Sequence, residues 1–300
     1  MKRFLHIILF ILILSLAATG CVRITVTMPD EAQKQEVKDN LTAAKESVKE
    51  AVESIPGKME SAGEDIVKAI EDALPSSIES ISTGSAVIDP SLIDEIDIDW
   101  VSGSVTISVW EGSSIRISET SDTELTEKEQ LRWKIEEREL KIRPCAAGTN
   151  IRILSQNAFP EKALTVEIPA SMALKELGIS QVSSVLNAEN VKAGEIDIET
   201  VSGTALLSGI TASKLDIETV SGEIRFTDLT VLKKISAETV SGDIKIELSD
   251  SVPGFTLKPE SLSALITVPQ GAEIVGKTYQ YGDGSLRIEY SSVSGSLQIS

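Results

Sequence analysis

Apolar and polar residues alternate with three different periods along this chain. From Phe4 to Leu16 the side chains are apolar apart from His6 and Ser15. Between residues 30 and 74, apolar positions recur in steps of three and four: Val37, Leu41, Ala44, Val48, Ala51 and Ile55, then, beyond Pro56-Gly57, Met59, Ala62, Ile66, Ala69 or Ile70, and Ala73. That is the period of an amphipathic helix, and two such stretches predict a helical hairpin or a spacer. From about Ile93 the period falls to two. Ile96-Asp97-Ile98-Asp99 and Val105-Thr106-Ile107-Ser108-Val109 alternate as half-buried strands do. Ile115-Arg116-Ile117, Leu131 to Ile142 and Leu164 to Pro169 continue the alternation.

A longer period is laid over the short one. Glu-Thr-Val-Ser-Gly occurs at 199–203, 218–222 and 238–242, spaced by 19 and 20 residues. Partial copies stand at Asp99-Trp100-Val101-Ser102-Gly103, Ser180-Gln181-Val182-Ser183-Ser184 and Ser292-Val293-Ser294-Gly295. A fixed period near 20 is a repeat signature. Superposing the copies aligns Val201, Val220 and Val240, then Ala205, Ile224 and Ile244, then Leu207, Phe226 and Ile246, as ladders inside a stack. Gly203, Gly222 and Gly242 fall where the chain turns, where glycine tolerates positive φ. Ser202, Ser221 and Ser241 precede them and can bond the turn backbone. The fold expected is mainly β: a single β-solenoid or β-helix-like domain of coils of about 19–20 residues, over 86–300. The Asp99 copy and the helical segment would cap one end, and Tyr281 to Ser300 the other.

The N-terminus changes the picture of location. Met1-Lys2-Arg3, a short apolar run and Ala17-Ala18-Thr19-Gly20-Cys21 read as a secretory leader. Small residues directly before cysteine resemble a bacterial lipobox, with Ala18 where leucine is usual, so Cys21 is the expected lipidation site. The division expected is a lipoprotein signal peptide at 1–21, a helical spacer with a Ser-rich link at 22–85, and the β domain at 86–300. Ordinary secretory cleavage and an uncleaved anchor are the alternatives.

Composition then narrows function. The net charge is −18, a field that repels nucleic-acid phosphates. The single histidine, His6, lies in the leader, so a processed chain would lack imidazole. That excludes Ser-His-Asp and Cys-His catalysis and histidine-based zinc sites. Lipid on Cys21 would leave Cys145 without a disulfide partner. No phosphate-binding loop or paired CxxC is present, and no catalytic residue is assigned.

From about residue 93 onward the chain resembles the bacterial DUF4097 family. The resemblance rests on Val-Ser-Gly-x-x at 201–205, 220–224 and 240–244, the Val101-to-Val105 strand, the Leu164-to-Pro169 strand, Gly282-Asp283-Gly284 and Val293-to-Leu297. It implies an all-β, solenoid-like fold on the cell exterior and an adhesin-like role, without a known reaction. Some relatives belong to envelope-stress systems, which implies a second role as an accessory to a membrane signalling partner.

Glu199, Glu218 and Glu238 are the sharpest candidate site. In a parallel stack their carboxylates would stand about 5 Å apart, and like charges opposite one another are destabilising. They could share a cation such as Ca²⁺ or hold raised pKa values. Asp97 and Asp99 could extend the stripe. The plainer expectation is that all five point to water and are screened. No other cofactor is expected. Thr200, Thr219 and Thr239 form either a hydroxyl face for a polymer or a β-branched strand ladder. Trp100 is read as a cap over the end of the stack, and Tyr279, Tyr281 and Tyr290 as packing.

The expected protein is therefore non-catalytic, extracytoplasmic and lipid-anchored, and binds a cell-surface polymer or a membrane protein. The alternatives are the envelope-stress accessory and a polysaccharide-active β-helix enzyme.

Overall fold

The computed structural model describes residues 82–145, 160–261 and 263–300. The leader, Cys21 and the helical pattern of 30–74 lie outside the described residues. Those described belong to one compact unit, Ser77–Ser300. Within it the chain runs β1 (Ser82–Thr83), β2 (Ala86–Ile88), β3 (Glu95–Trp100), β4 (Gly103–Trp110), β5 (Ile115–Ser121), β6 (Arg132–Glu136), β7 (Glu139–Arg143), β8 (Lys162–Pro169), β9 (Leu174–Gln181), β10 (Val185–Glu189) and β11 (Lys192–Thr200). It continues through β12 (Thr204–Ser208), β13 (Thr211–Thr219), β14 (Glu223–Thr239), β15 (Asp243–Leu248), β16 (Gly254–Ser261), β17 (Leu265–Thr267), β18 (Glu273–Val275), β19 (Thr278–Gly282), β20 (Leu286–Ser292) and β21 (Ser296–Ile299). Residue 82 already pairs with β6, so the end of the Ser-rich link is part of the β body.

The strands form two sheets joined by β14. The front sheet runs β1, β6, β7, β3, β9, β11, β13, the second half of β14, β20, β16, β19, β18. The back sheet runs β2, β5, β8, β4, β10, β12, the first half of β14, β15, β21, β17. Inward side chains of both sheets make one continuous aliphatic core. Alternation explains it: Ile96, Ile98, Ile196, Ile198, Leu215 and Ile217 point in, and the acidic residues between them point out.

In the middle of the body the repeats stack in parallel and in register. Ala205 faces Ile224, which faces Ile244, and Leu207, Phe226 and Ile246 form the next ladder, all buried. The valine ladder differs. It lies at the corner, and while Val201 is 9 % exposed, Val240 is 39 % exposed.

The corner is built differently from the sequence expectation. Gly203, Gly222 and Gly242 do not have positive φ. They are glycine because the corners stack closely: an added Cβ at Gly222 would stand 2.3 Å from Gly203 O, and one at Gly242 2.5 Å from Gly222 O. For these three repeats the left-handed positions lie at the opposite corner, at Asn190 (φ 59°), Gly209 (φ 63°) and Asp228 (φ 53°), each 19 residues after the last, whereas the partial copy at Asp99 has its own corner glycine, Gly103, at φ 90°. At Asp228 the corner is tight enough that β14 passes from one sheet to the other as one strand, with a register shift between Phe226 and Leu229.

Neither end of the stack follows chain order. The Asp99 copy, on β3–β4, is not a cap: it lies between β7–β8 and β9–β10. Nor is the C-terminal segment a cap. β20–β21 lie between β14–β15 and β16–β17. The ends are closed instead by antiparallel strands, β1, β2, β5 and β6 at one and β18–β19 at the other. The hairpin β6–β7 turns through Glu137 (φ 51°) and Arg138 (φ 70°), both left-handed. Arg138 is held there by a bidentate pair with Asp94 at 2.7 Å and by donating to Ser91 O at 2.9 Å.

Candidate ligand-binding face

Each residue of Glu-Thr-Val-Ser-Gly has a distinct place. The threonines are buried, so they offer no hydroxyl face to a polymer. Thr200, Thr219 and Thr239 Oγ1 accept from the N–H of Gly203, Gly222 and Gly242 at 3.0, 3.0 and 2.7 Å. The serines tie each repeat to the one before it: Ser202 Oγ donates to Val182 O, Ser221 Oγ to Val201 O and Ser241 Oγ to Val220 O, at 3.2–3.3 Å. With Thr, Val, Ser and Gly committed to the corner, the glutamate is left on the outer face of the front sheet.

There Glu199, Glu218 and Glu238 stand in register on β11, β13 and β14. Beside them Asp197 faces Asp216 and then Ser236, and Glu195 faces Lys214 and then Lys234. The carboxylates are half-buried by their neighbours. Burial first, then the charges of Glu199, Glu238 and Asp216, push Glu218 up to about 8. Burial first, then Asp216, raises Glu238. Burial and Glu195 raise Asp216, against Lys234 and Lys214. One carboxylate oxygen of Glu218, Oε2, is fully buried and makes no hydrogen bond. The picture of fully hydrated, screened carboxylates therefore does not describe Glu218. Ser180 Oγ donates to Glu199 Oε2 at 3.0 Å.

Asp97 and Asp99 lie on the same face two strands away, but they are engaged. Arg143 Nη2 is 2.6 Å from Asp97 Oδ2, and its Nε is 2.8 Å from Asp99 Oδ2. Two influences oppose each other at Asp99: burial pushes it up to about 6, helped by Asp97 and Glu199, while Arg143 pulls it down. Because the carboxylate is 46 % exposed and directly paired, the ionised form prevails at neutral pH. The residues that converge instead are Glu195, Asp197 and Asp216, each placing an oxygen within 4.8 Å of the others. Sequence reasoning passed over these three. The signal was present in the i, i+2 run Glu195, Asp197, Glu199 and its continuation at Asp216.

A second charged group is sealed in the body. Lys162 is 2 % exposed and donates to Glu119 Oε1 at 2.5 Å, to Glu129 O at 2.6 Å and to Pro144 O. Its Nζ lies 5.0 Å from the centre of the Trp100 ring. Burial lowers the lysine pKa, and Glu119 opposes that shift. Trp100 is thus an interior residue beneath Lys162, 1 % exposed, rather than a cover over the end of the stack. Trp110 lies under the Arg116 guanidinium, 3.4 Å from its ring centre, and Trp133 packs partly buried against the core. Tyr290 is core, and Tyr281 stacks on Phe255 with ring centres 5.6 Å apart. No helix among the described residues is long and apolar enough to cross a membrane.

Comparison with known proteins places this architecture. No curated protein gives a significant match. Among solved structures, the chain is similar to a candidate cell adhesion protein from Clostridium sporogenes ATCC 15579, at 14 % identity and a TM-score of 0.43, over 73 % of this chain and 99 % of that one. It is similar to a candidate adhesin from Bacteroides fragilis NCTC 9343, at 9 % identity and 0.39, over 74 % and 98 %. A candidate lipid-binding protein from Parabacteroides distasonis ATCC 8503 matches at 18 % identity and 0.39, over 73 % and 95 %. The family model for the Toastrack domain, DUF4097, matches residues 93–300, which span the front and back sheets from β3 to β21. The chain belongs to the Toastrack DUF4097 family.

Proposed function

We propose that this protein is a non-catalytic, extracytoplasmic binding or scaffold protein, anchored to the membrane through lipid on Cys21 and using the acidic outer face of its front sheet as the contact surface. The observation that carries the reading is the in-register column Glu199, Glu218, Glu238, half-buried, with the unpartnered Glu218 oxygen at its centre. Ionising all three carboxylates in register would cost stability, which is why Glu218 keeps its proton up to about 8, and a cationic group supplied from outside would offset that cost. The ligand class is therefore a cationic segment of a surface polymer or of a membrane protein.

The test uses the full chain in membranes, with oligolysine as the first probe. The variant E199Q/E218Q/E238Q should bind at least about tenfold more weakly at low salt, and the difference should shrink as salt rises. Deleting residues 30–74 should leave this binding intact. Loss of a membrane-protein partner on that deletion, with no effect of the triple variant, would favour the envelope-stress accessory role instead.

A divalent cation is the second reading, favoured by the convergence of Glu195, Asp197 and Asp216. Calorimetric titration with calcium should then give heat that D197N/D216N abolishes. Equal traces for that variant and the unaltered chain remove the reading.

A further inference from the structure

The two sheets do not stop together. Their last shared rung is β16 on the front and β17 on the back, beside β20 and β21. Beyond it the front sheet continues by two antiparallel strands, β19 on β16 and β18 on β19. Among the described residues β17 pairs with β21 alone, so the front sheet overhangs the back sheet by two strands. Register partners in an antiparallel pair point to the same face. Tyr281 is the partner of Phe255, Tyr279 of Leu257, and Ile274 of Tyr279, so the overhang turns these three toward the inner side, where Phe255 and Leu257 are fully buried. No described strand of the back sheet lies opposite them: Ile274 is 71 % exposed and Tyr281 37 %. Ile266, the inward residue of β17, packs against the core at the step.

Free strand edges beside an uncovered apolar face accept further strands. The shape of the step selects which, because it is its own complement. A second copy, turned by a two-fold axis along the strands, lays its front overhang where the first copy's back sheet is missing. Each layer then runs β21, β17, the partner's β18, the partner's β19, the partner's β16. Strand direction agrees as well. The chain reverses at each corner, so front and back strands of a rung run oppositely. β17 has the back direction, and β18, after two antiparallel reversals from β16, has the front one. Rotation about the strand axis preserves direction, so β17 meets the partner's β18 antiparallel. The inner side chains of the two overhangs then cover one another. Leu265, Ile266 and Thr267 of β17 and the inward Ile274, Tyr279 and Tyr281 carry no charge, so the joint brings no like charges together.

We propose that the step formed by β17, β18 and β19 is a two-fold interface between copies of this chain, each overhang extending the other copy's back sheet. The strands of the joint are three to five residues long, which sets it among weak, concentration-dependent interfaces of roughly 1,200 Å² or less. The acidic outer faces stay free, on opposite sides of the pair. Each copy carries a net charge of −18, so added salt screens their repulsion and strengthens this association. Contact of the acidic face with a cationic ligand has the opposite salt dependence.

The test co-expresses two differently tagged full-length chains in membranes, with a photo-reactive residue at position 274. Adducts should carry both tags and map to residues 278–282 of the other copy. The same probe at position 87, where Val87 is 73 % exposed beside the opposite end of the stack, should give none. Adducts confined to one chain, adducts with another protein, no adducts, or equal two-tag yields from both positions overturn the proposal. Sedimentation of the purified full-length chain in detergent gives an independent reading. Ile274→Asp should weaken self-association at least about tenfold by placing a charge in the joint. It should leave the melting temperature unchanged, because residue 274 is exposed in the single copy. The variant E199Q/E218Q/E238Q should associate no more weakly than the unaltered chain. Equal association of Ile274→Asp and the unaltered chain, or an unaltered chain that stays monomeric as its concentration rises, overturns the proposal.

Discussion

Thr219 holds its corner through one oxygen. Its Oγ1 accepts the Gly222 N–H at 3.0 Å in a site closed to water. Thr219→Val keeps the shape and removes the acceptor, leaving a buried N–H unpaired, so it should cost about 1–3 kcal/mol in denaturant unfolding. Gly222 is constrained by space rather than by φ. Gly222→Ala would drive a Cβ to 2.3 Å from Gly203 O, whereas Gly84, at φ 68°, has nothing within 4 Å. Melting curves should therefore rank Gly222→Ala, at about 3 kcal/mol or more, well above Gly84→Ala, at about 1 kcal/mol. That glycine is required at this corner was legible in the sequence. The cause was not, because close approach of stacked backbones depends on a neighbour 19 residues away, while φ is the only local property a single position suggests.

At the scale of elements, the ladders Ala205–Ile224–Ile244 and Leu207–Phe226–Ile246 could be aligned from spacing alone, since parallel strands in register repeat their inward residues. The ends could not. Nothing in the Val293-Ser294-Gly295 copy tells that β21 pairs with β15 before β17, because the copy has the same corner chemistry wherever it stacks. The Lys162–Glu119 pair was equally hidden. It unites β8 with β5, 43 residues apart, and is completed by the carbonyls of Glu129 and Pro144. Breaking it one-sidedly leaves a charge in the core. Lys162→Met alone should destabilise by about 3–5 kcal/mol. The double variant Lys162→Met with Glu119→Leu should recover much of that loss, and a double-mutant cycle in urea measures the coupling.

The whole molecule carries a net charge of −18, and on the front face burial opposes the ionisation of Glu218 and Glu238. Glu218 is held up to about 8 in the folded state, against 4.5 without these neighbours. Between those values the folded chain binds more protons than the unfolded chain, so stability falls as pH rises. The stabilisation is complete only below the unfolded value and is lost as pH passes through about 8. The melting temperature should thus drop between pH 5 and 9, and Glu218→Gln should flatten that drop. The glutamate column itself was visible in the sequence. The withdrawal of Asp97 and Asp99 to Arg143 depends on β7 lying beside β3, which chain order conceals.

The claim that the front face makes the contact is tested most directly by photo-crosslinking in the native membrane. One probe replaces Ser236, in the column that continues Asp197 and Asp216, and the other replaces Leu206, 40 % exposed on the back sheet. Adducts should form from position 236, disappear in the E199Q/E218Q/E238Q background, and be absent from position 206. Equal adducts from both faces, or adducts at 236 that persist without the three glutamates, would contradict it.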